Sequence, residues 1–522
     1  MLARKGIRLA AGACAIALLA LLPGCGKYGA LKQQWSYQTG DTIAATPAMN
    51  WSRVFIGSWD GYEYALDEAT GALKWRTFLG RVPNPGPCDD IGVTSSPLTI
   101  GGTLYLGGGD DYWYALNMYT GSPLWRVFTG DTAAGYYNWS TPAELNHFAY
   151  VGAASLCDTP LVQGKLYRVD MTTHEIVNTF KVVADGETGG TIWTKPVVDA
   201  ARNAVFVTTG NRAYDSNREH QPYGEAMLSL DATTLAVKGV WSLPLSEPTP
   251  DADWGTAPLF FQDGQGHDRV SAGNKNGVVY AFSRDNVSAG PIWSRRIANG
   301  AVGSDPAAGG AYSNGIYDFK KVYYAGGATT INGQAVKGSI RALNPLNGAI
   351  IWETPLDSKP FGQLAYANGM IVVSGKSALY MVDAANGEIL YQNDMTLYAG
   401  AAVKNNRIVI GDYRGVVHAY TEPSGTGPPS AAAASIALAR GCQQFQQPPI
   451  GAGRVRATRT GRASAPATIG VYGTADCSGH PIVRTRLRGG HSVVVKVRRM
   501  LHRKHLWVRS SSALRLKLRL AR

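Results

Sequence analysis

Four short segments in the middle of the chain carry the residue types that could do chemistry. Residues 189–193 read Gly-Gly-Thr-Ile-Trp, and the run 205–211, shortly after Asp199, ends in Thr-Gly-Asn. Residues 251–254 read Asp-Ala-Asp-Trp, and residues 273–277 read Gly-Asn-Lys-Asn-Gly. An indole offers a flat face to a planar ring, and an amide oxygen suits a hard cation. These residue types therefore suit the binding of a flat molecule and a metal ion.

Each segment also has an ordinary structural interpretation. Trp193 can be an inner-strand residue that fills a channel, and Asn211 can be a turn residue that follows Gly210. Asp-Trp and Asn-Lys-Asn-Gly are common loop and hairpin-turn sequences. The elements that would bring the four segments together therefore have to be identified first.

One pattern recurs along the chain and predicts a repeated β unit. A β-rich strand ends in Gly, an aromatic-Ala-Leu-Asp strand follows, and a Thr-Gly turn leads to a strand that contains Trp. The clearest copy covers residues 54–75. The unit recurs eight times, at a spacing that suits four-stranded propeller blades. The Ala-Leu-Asp positions of the eight copies lie at residues 65–67, 115–117, 168–170, 229–231, 281–283, 342–344, 381–383 and 418–420.

The two ends of the repeat region complete each other. The eighth copy stops at Thr421 without its Thr-Gly turn or its Trp strand, whereas residues 34–40 form a Trp strand with no blade before it. Pairing the first strand into the last blade removes the free sheet edges that invite aggregation. The sequence therefore predicts an all-β fold, in which residues 34–422 form an eight-bladed antiparallel β-propeller closed by the N-terminal strand.

Two other repeat positions are predicted to be structural. A small or polar residue followed by Pro marks the start of each inner strand, because Pro as the first residue of a strand removes no needed donor. The repeat Trp residues are expected to pack between neighbouring blades. The inner-strand pairs include Thr46-Pro47, Ser96-Pro97, Thr141-Pro142, Lys195-Pro196, Ala257-Pro258 and Asp305-Pro306, and the Trp positions are 35, 75, 125, 241, 293 and 352.

The repeats resemble those of pyrroloquinoline quinone (PQQ) type propellers over the whole of residues 34–422. That family includes quinoprotein alcohol dehydrogenases and noncatalytic assembly lipoproteins of the bacterial outer membrane. The segments at 189–211 and 251–277 are similar to the dehydrogenase segments that hold the cofactor. The resemblance implies PQQ stacked on Trp193 and Ca²⁺ bound by Asn211.

The same resemblance implies a division of chemical work between two further residues. Asp253 would be the base that takes the proton of an alcohol, while Lys275 would contact the quinone oxygens and polarise them. The family's third-blade metal ligand is usually Glu, and here only Asp158 can replace it. Many of these dehydrogenases also cover the quinone with a bridge between adjacent Cys residues, whereas Cys88 is followed by Asp. The resemblance thus implies a quinoprotein dehydrogenase that oxidises an alcohol or a sugar. The alternative is a noncatalytic propeller that presents its rims to protein partners or serves envelope assembly.

The N-terminal residues predict export and a lipid anchor. A basic flank precedes an apolar run from Leu9 to Leu22, and Leu-Pro-Gly-Cys ends at Cys25. Residues 1–24 are therefore interpreted as a lipoprotein signal peptide, and the run 25–33 as a membrane-proximal tether. A lipid on Cys25 would hold the propeller at a membrane in the cell envelope. An ordinary signal sequence with an incidental Cys is the alternative.

Four further Cys residues would lie in an oxidising compartment after export. They allow three pairings, and we favour Cys88 with Cys157 and Cys442 with Cys477, because a linker separates the two pairs.

The positive charge of the chain belongs to its C-terminal part. Residues 423–440 are rich in Pro, Ser and Ala and are predicted to be a linker. Residues 441–522 hold 14 Arg and 3 Lys against a single acid, Asp476, so their net charge is +16. The net charge of the whole chain is +13, so the remaining residues sum to −3. Alternating Leu and basic residues at 514–520 predict a small basic β domain tied by a disulfide. After export, its expected partners are anionic lipids or wall polymers and not nucleic acid.

Overall fold

The computed structural model describes residues 31–83, 90–215, 219–247, 249, 251–301, 309–404 and 406–421, and the backbone of eight strands between Ser435 and Ala521. The chain divides into two compact units, Met1–Gly425 and Thr426–Arg522. No helix among these described residues is long and apolar enough to cross a membrane.

The first unit consists of eight four-stranded antiparallel blades. Within each blade the strands follow one another outward from the axis, so that the inner strand comes first. Blade 3 has one added strand, Tyr136–Tyr137. Blade 6 has an added hairpin, formed by Thr329–Ile331 and Gln334–Val336. Short 3₁₀ helices lie at Thr132–Ala134 and Val287–Ala289. The closing strand and blades 1 to 3 comprise β1 Lys32–Gln38, β2 Ala48–Asn50, β3 Arg53–Gly57, β4 Tyr62–Asp67, β5 Leu73–Phe78, β6 Leu98–Ile100, β7 Thr103–Gly107, β8 Tyr112–Asn117, β9 Pro123–Phe128, β10 Tyr136–Tyr137, β11 Ala143–Leu145, β12 Phe148–Ser155, β13 Lys165–Asp170 and β14 Glu175–Lys181.

Blades 4 to 8 repeat this order around the ring. Their strands are β15 Val197–Asp199, β16 Ala204–Thr208, β17 Ala226–Asp231, β18 Val237–Ser242, β19 Leu259–Gln262, β20 Asp268–Gly273, β21 Val278–Ser283, β22 Trp293–Arg296, β23 Ser313–Tyr317, β24 Val322–Gly326, β25 Thr329–Ile331, β26 Gln334–Val336, β27 Gly338–Leu343, β28 Ile350–Leu356, β29 Ala365–Ala367, β30 Met370–Ser374, β31 Ala378–Asp383, β32 Ile389–Asp394, β33 Ala402–Lys404, β34 Arg407–Gly411 and β35 Val416–Thr421.

The N-terminal strand closes the ring, as the sequence predicts. β1 pairs antiparallel with β35, in a register that places Trp35 opposite Ala419 and Gln38 opposite Val416. Blade 8 therefore has the order β33, β34, β35 and β1, with β1 outermost. The prediction of an eight-bladed, all-β propeller closed by its first strand is confirmed.

The repeated Thr-Gly turn is explained by what lies against it. Asp67 accepts hydrogen bonds from the backbone of Ala69 and Thr70 and so ties the turn together. Gly71 has a φ of 74°, and a Cβ at this position would lie 2.5 Å from the Trp35 ring of the neighbouring blade. Only Gly combines this backbone with so close an approach. The Thr-Gly pair therefore seats the repeat Trp between blades, and Trp75 packs against Gly121 in the same way.

The topology decides where functional side chains can meet. In an antiparallel pair, the start of the first strand and the end of the second strand lie at the same end. The segments that enter β15 and β19 and those that leave β12, β16 and β20 therefore share one end of the ring. These are the segments that contain the residues with predicted chemistry.

The second unit contains two four-stranded antiparallel sheets. Their orders are β36-β43-β38-β41 and β37-β42-β39-β40. The first strand, β36, lies within the segment that was predicted to be a linker. The strands are β36 Ser435–Leu438, β37 Gly441–Phe445, β38 Arg454–Arg459, β39 Ala467–Tyr472, β40 Val483–Leu487, β41 Ser492–Lys496, β42 Leu506–Ser510 and β43 Leu514–Ala521.

Candidate active site in the propeller channel

A cavity of about 700 Å³ lies on the propeller axis. Residues from all eight blades line it, most of them in the segments that lead into the inner strands. Its volume falls within the roughly 300–1,000 Å³ range of small-molecule sites. Its aromatic lining residues are Trp59, Trp139, Trp193, Tyr312, Phe361 and Tyr398.

Backbone hydrogen bonds fix the segments that carry the predicted site residues. Gly210 donates its backbone N–H to the carbonyl of Thr191 at 2.6 Å, and Gly190 donates to the carbonyl of Asn211 at 2.7 Å. A Cβ on Gly210 would lie 2.5 Å from Thr191 Oγ1, so a larger residue would separate the two segments. The backbone N–H of Lys275 donates to the carbonyl of Asp253 at 3.0 Å. These bonds hold the side chains of blades 4 and 5 in place.

Trp193, Asp253 and Lys275 are in direct contact. Trp193 Nε1 donates to Asp253 Oδ2 at 2.9 Å. Lys275 Nζ lies 2.6 Å from Asp253 Oδ1 and 3.0 Å from Asp251 Oδ1. The same ammonium lies 5.4 Å from the centre of the Trp193 ring and 5.7 Å from that of Tyr312. Lys275 is thus held between two carboxylates at the edge of the aromatic wall.

The pKa values of Asp253 and Asp251 are shifted in opposite directions. Burial raises the pKa of Asp253 well above its usual value, and the charges of Asp251 and Asp158 raise it further, while Lys275 opposes this. Burial also acts against the charge of Asp251, but Lys275 and hydrogen bonds from Asp253 and Asn211 outweigh it and lower the pKa of Asp251. Burial disfavours the ammonium of Lys275, yet the neighbouring carboxylates raise its pKa. When the pKa values of two neighbouring acids are shifted apart in this way, one can carry a proton while the other stays charged. Here Asp253 is the acid that can carry the proton, and Asp251 is its charged partner.

Asn211 joins blade 3 to blade 5. Its Nδ2 lies 3.2 Å from Asp158 Oδ2, 3.0 Å from Asp251 Oδ1 and 3.1 Å from the hydroxyl of Tyr214. The side-chain oxygen of Asn211 is buried and accepts no hydrogen bond from any residue that the structure describes. One NH₂ group is therefore shared by three oxygen atoms, while the acceptor of the same amide has no partner.

This arrangement fits a hard cation. Such cations take oxygen ligands from carboxylates and amides, and turning the Asn211 amide would direct its orphaned oxygen toward Asp158 and Asp251. Among the described residues, however, no three His, Cys, Asp or Glu side chains are gathered closely enough to hold a metal by themselves. The donor set would thus include the amide oxygen and atoms of a bound molecule.

The structure brings together five of the residues predicted from sequence. Trp193, Asn211, Asp253 and Lys275 lie at one end of the channel, and Asp158 joins them through Asn211. Their roles in binding and catalysis stay predictions.

Of the predicted disulfide and lipid positions, only Cys157 has a described side chain. It lines the cavity and forms a disulfide. Cys25, Cys88 and Cys477 lie outside the described residues, and only the backbone of Cys442 is described, in β37. The two favoured pairings and the lipid site therefore stay predictions.

Sequence reasoning missed three residues of this site. Asp251 was passed over in favour of Asp253, although residues two apart in an extended segment face the same side. Tyr214 follows Asn211 by three residues and contacts it. Lys195, two residues after Trp193, lines the cavity as well. Its departure from the Thr and Ser of the earlier blades was a usable signal.

Comparison with known proteins shows what the propeller is similar to. A model described as outer membrane protein assembly factor BamB matches residues 30–138 and 336–427. A polyvinylalcohol dehydrogenase of Pseudomonas sp. is 23% identical over 327 residues, which are 59% of this chain and 45% of that protein. The matched region thus spans less than half the length of this relative.

Two solved structures share the fold. Quinohemoprotein alcohol dehydrogenase from Comamonas testosteroni superposes with a TM-score of 0.59 at 15% identity and covers 80% of this chain and 81% of its own. BamB from Moraxella catarrhalis superposes with a TM-score of 0.52 at 15% identity and covers 77% of this chain and 100% of its own. The first unit of this chain is therefore a β-propeller of the PQQ type, similar to quinoprotein alcohol dehydrogenases and to BamB.

Proposed function

We propose that this protein is a quinoprotein dehydrogenase that oxidises an alcohol with PQQ and Ca²⁺ bound in the propeller channel. The observation that carries the proposal is the meeting of Trp193, Asn211, Asp253 and Lys275 beside an open cavity of about 700 Å³. If the four segments had only structural roles, their side chains would have no need to lie close together. The similarity to a polyvinylalcohol dehydrogenase supports an alcohol as substrate.

Each residue of the site has its own role in the proposed reaction. Asp253, once deprotonated, takes the hydroxyl proton of the alcohol. Trp193 offers a ring face to a flat cofactor and orients Asp253 through its indole N–H. When bound, PQQ would accept the hydride from the carbinol carbon, and Ca²⁺ would polarise the quinone. Lys275 stabilises negative charge that develops beside it, since its ammonium is kept charged by Asp251 and Asp253.

Asp158, Asn211 and Asp251 are the residues that would hold the cation. The Asn211 amide lies within hydrogen-bond distance of both Asp158 and Asp251. Its buried oxygen, which has no partner among the described residues, is the atom that would gain most from a cation there. The positive charge of Lys275 beside the same carboxylates weakens this binding.

The test is reconstitution of the purified protein with PQQ and Ca²⁺, followed by cofactor absorbance and dye-linked alcohol oxidation. Alcohol oxidation by Asn211→Ala should no longer be increased by Ca²⁺. Lys275→Met should lose turnover while PQQ still binds. Asp110→Asn is the matched control, because burial also raises the pKa of Asp110, which does not line the cavity. Failure of the wild-type protein to bind micromolar PQQ would overturn the proposal.

We also propose that the chain is exported and anchored through a lipid on Cys25, and that its basic second unit holds anionic lipid or wall polymer. Fractionation of cells that express wild-type protein or Cys25→Ala tests the anchor, since the variant should leave the membrane fraction. Salt-dependent binding of the protein to anionic vesicles tests the second unit.

A noncatalytic scaffold is the second candidate function. It is favoured by the match of blades 1, 2, 7 and 8 to a model described as an assembly factor. This candidate expects no PQQ binding, and it expects mutations in the channel to leave the protein's role in cells unchanged.

A further inference from the structure

Lys195 departs from the residue type of the first three blades at a position that lines the channel. In blades 1, 2 and 3 the residue before the inner-strand Pro is Thr46, Ser96 or Thr141, and in blade 4 it is Lys195. The small hydroxyl residues link neighbouring blades. Ser96 Oγ accepts from the backbone of Thr46 at 2.9 Å, and Thr46 Oγ1 accepts from the backbone of Gly400 at 3.1 Å. An ammonium has no acceptor and cannot replace these bonds, so Lys195 needs another explanation.

The charge of Lys195 has no counter-ion among the residues that the structure describes. The residue is exposed and lines the cavity. Within the described part of the chain it forms no ion pair, unlike Lys275, which contacts Asp251 and Asp253. Although the residue as a whole is exposed, the cavity wall around it lowers the pKa of its ammonium, because the charged form loses part of its solvation there. A bound anion would restore the lost stabilisation of the ammonium.

The rest of the cavity limits what this anion can be. Aromatic rings form much of the wall, and they favour a flat, ring-shaped molecule. The other cation of the cavity, Lys275, is already paired with Asp251 and Asp253, so it offers little to a further carboxylate. An acidic ring compound would thus turn its carboxylate toward Lys195.

We propose that Lys195 binds a carboxylate group of a flat ring compound held in the channel, so that the channel selects acids over their neutral analogues. The inference rests in part on the proposed function, because PQQ is itself a flat quinone that carries carboxylates. A substrate that carries a carboxylate would use the same contact. The cofactor and the substrate are therefore two sources of one ligand chemistry.

The first experiment is independent of PQQ. Tryptophan fluorescence of the full chain is titrated with naphthalene dicarboxylate and with its neutral analogue, naphthalene dimethanol. The wild-type protein should prefer the acid by about tenfold or more, since one hydrogen bond between charged groups contributes roughly that factor. Lys195→Thr, which restores the residue type of blades 1 and 3, should lose the preference. Lys320→Thr removes an exposed lysine outside the cavity and should retain it.

The second experiment separates the two sources. If Lys195→Thr weakens PQQ binding about tenfold or more but leaves binding of the PQQ trimethyl ester unchanged, the cofactor supplies the carboxylate. If PQQ binds both proteins equally, the substrate supplies it, and the KM of a carboxylate-bearing alcohol should rise in the variant while that of a neutral alcohol does not.

Two results overturn the inference about Lys195. In one, the wild-type protein does not distinguish the naphthalene acid from the diol, which includes the case that neither binds. In the other, Lys195→Thr keeps the preference. Failure of the proposed function looks different, because PQQ then does not bind although the preference for the acid still depends on Lys195.

Discussion

The two arcs of the ring use the same turn in different ways. We call residues 30–138 and 336–427, which match the assembly-factor model, the regular arc, and residues 139–335 the site arc. In the regular arc, the acid that follows the second strand is tied to its own blade. Asp60 accepts from the hydroxyl of Tyr64 at 2.5 Å, and Asp110 accepts from that of Tyr114 at 2.7 Å. These carboxylates stabilise a turn and are not available to a ligand.

In the site arc, the same turn keeps a contact with the Tyr of its blade and adds a side chain that reaches the channel. Asn276 of blade 5 donates to the hydroxyl of Tyr280 at 2.9 Å, so it joins the same two positions as in the regular arc with the direction of the hydrogen bond reversed. Lys275, one residue earlier, contacts Asp251 and Asp253 at the channel. The comparison teaches that one repeat can hold a blade together and carry a site, provided that the two tasks fall on different residues of the turn.

The largest expected effect is the loss of turnover in Asp253→Asn. A general base contributes about 10²–10⁴-fold to rate, and an amide cannot replace it. The matched change in the regular arc, Asp110→Asn, keeps an acceptor for Tyr114 and should leave dye-linked alcohol oxidation within about twofold. Equal losses in the two variants would break the distinction between the arcs.

The next effect contrasts a repeat Trp with the site Trp. Trp75 is buried between blades, where its indole donates to the carbonyl of Met118 at 3.2 Å, so Trp75→Ala should cost about 3–5 kcal/mol of stability. Trp193→Ala should lower PQQ affinity by about tenfold or more with a much smaller shift in Tm. Calorimetry and cofactor titration measure the two quantities. A large loss of stability in Trp193→Ala would make this residue another packing Trp.

A third prediction concerns the pH profile of turnover. Asp253 acts as a base only when it is deprotonated, and its raised pKa moves this requirement to higher pH. The charge of Asp251 contributes to that rise. Asp251→Asn should therefore shift the rising limb of kcat/KM toward lower pH, whereas Asp110→Asn should leave it in place. An unmoved limb in Asp251→Asn would mean that the two carboxyls are not coupled.

The smallest effect lies in the regular arc, at Glu63. This residue is fully buried, neither of its side-chain oxygens has a hydrogen-bond partner in the described part of the chain, and burial raises its pKa well above its usual value. The folded state then holds a proton that the unfolded chain releases, so stability should fall as pH rises above the ordinary pKa of a glutamate. Glu63→Gln should remove this slope and raise the Tm by a few degrees near pH 8.

Glu175→Gln is the control for this change, because Glu175 is exposed in β14. The measurement is the Tm of each protein between pH 4 and pH 8. A wild-type Tm that does not fall over this range would show that Glu63 is solvated or paired in solution.

The architecture was predictable because it depends on repeats. The Trp strand without a blade and the last blade without its Trp strand can be read from the sequence, and β1 does pair with β35. The meeting of Trp193 and Lys275 was predictable to a lesser degree. It follows from the rule that the start of an inner strand and the end of the next strand share one end of the ring.

The details of the site were not predictable, for physical reasons. Which of Asp251 and Asp253 carries the proton depends on burial and on the position of Lys275, and neither quantity is local in sequence. The orphaned oxygen of Asn211 depends on carboxylates from blades 3 and 5. The sixth inner strand also begins at Ser313 and not directly after Asp305-Pro306, which lies outside the described residues.

The closing strand also orders events in time. Gln34 and Thr421, which are hydrogen-bonded across β1 and β35, lie 387 positions apart in the chain. A chain that emerges from its N-terminus must keep β1 unpaired until almost the whole propeller has been made, because its partner strand comes last. Contacts of such long range slow folding and leave an unprotected edge in the meantime. Blades 1 to 7 are thus expected to assemble first, with the joining of the two chain ends as the final and rate-limiting step.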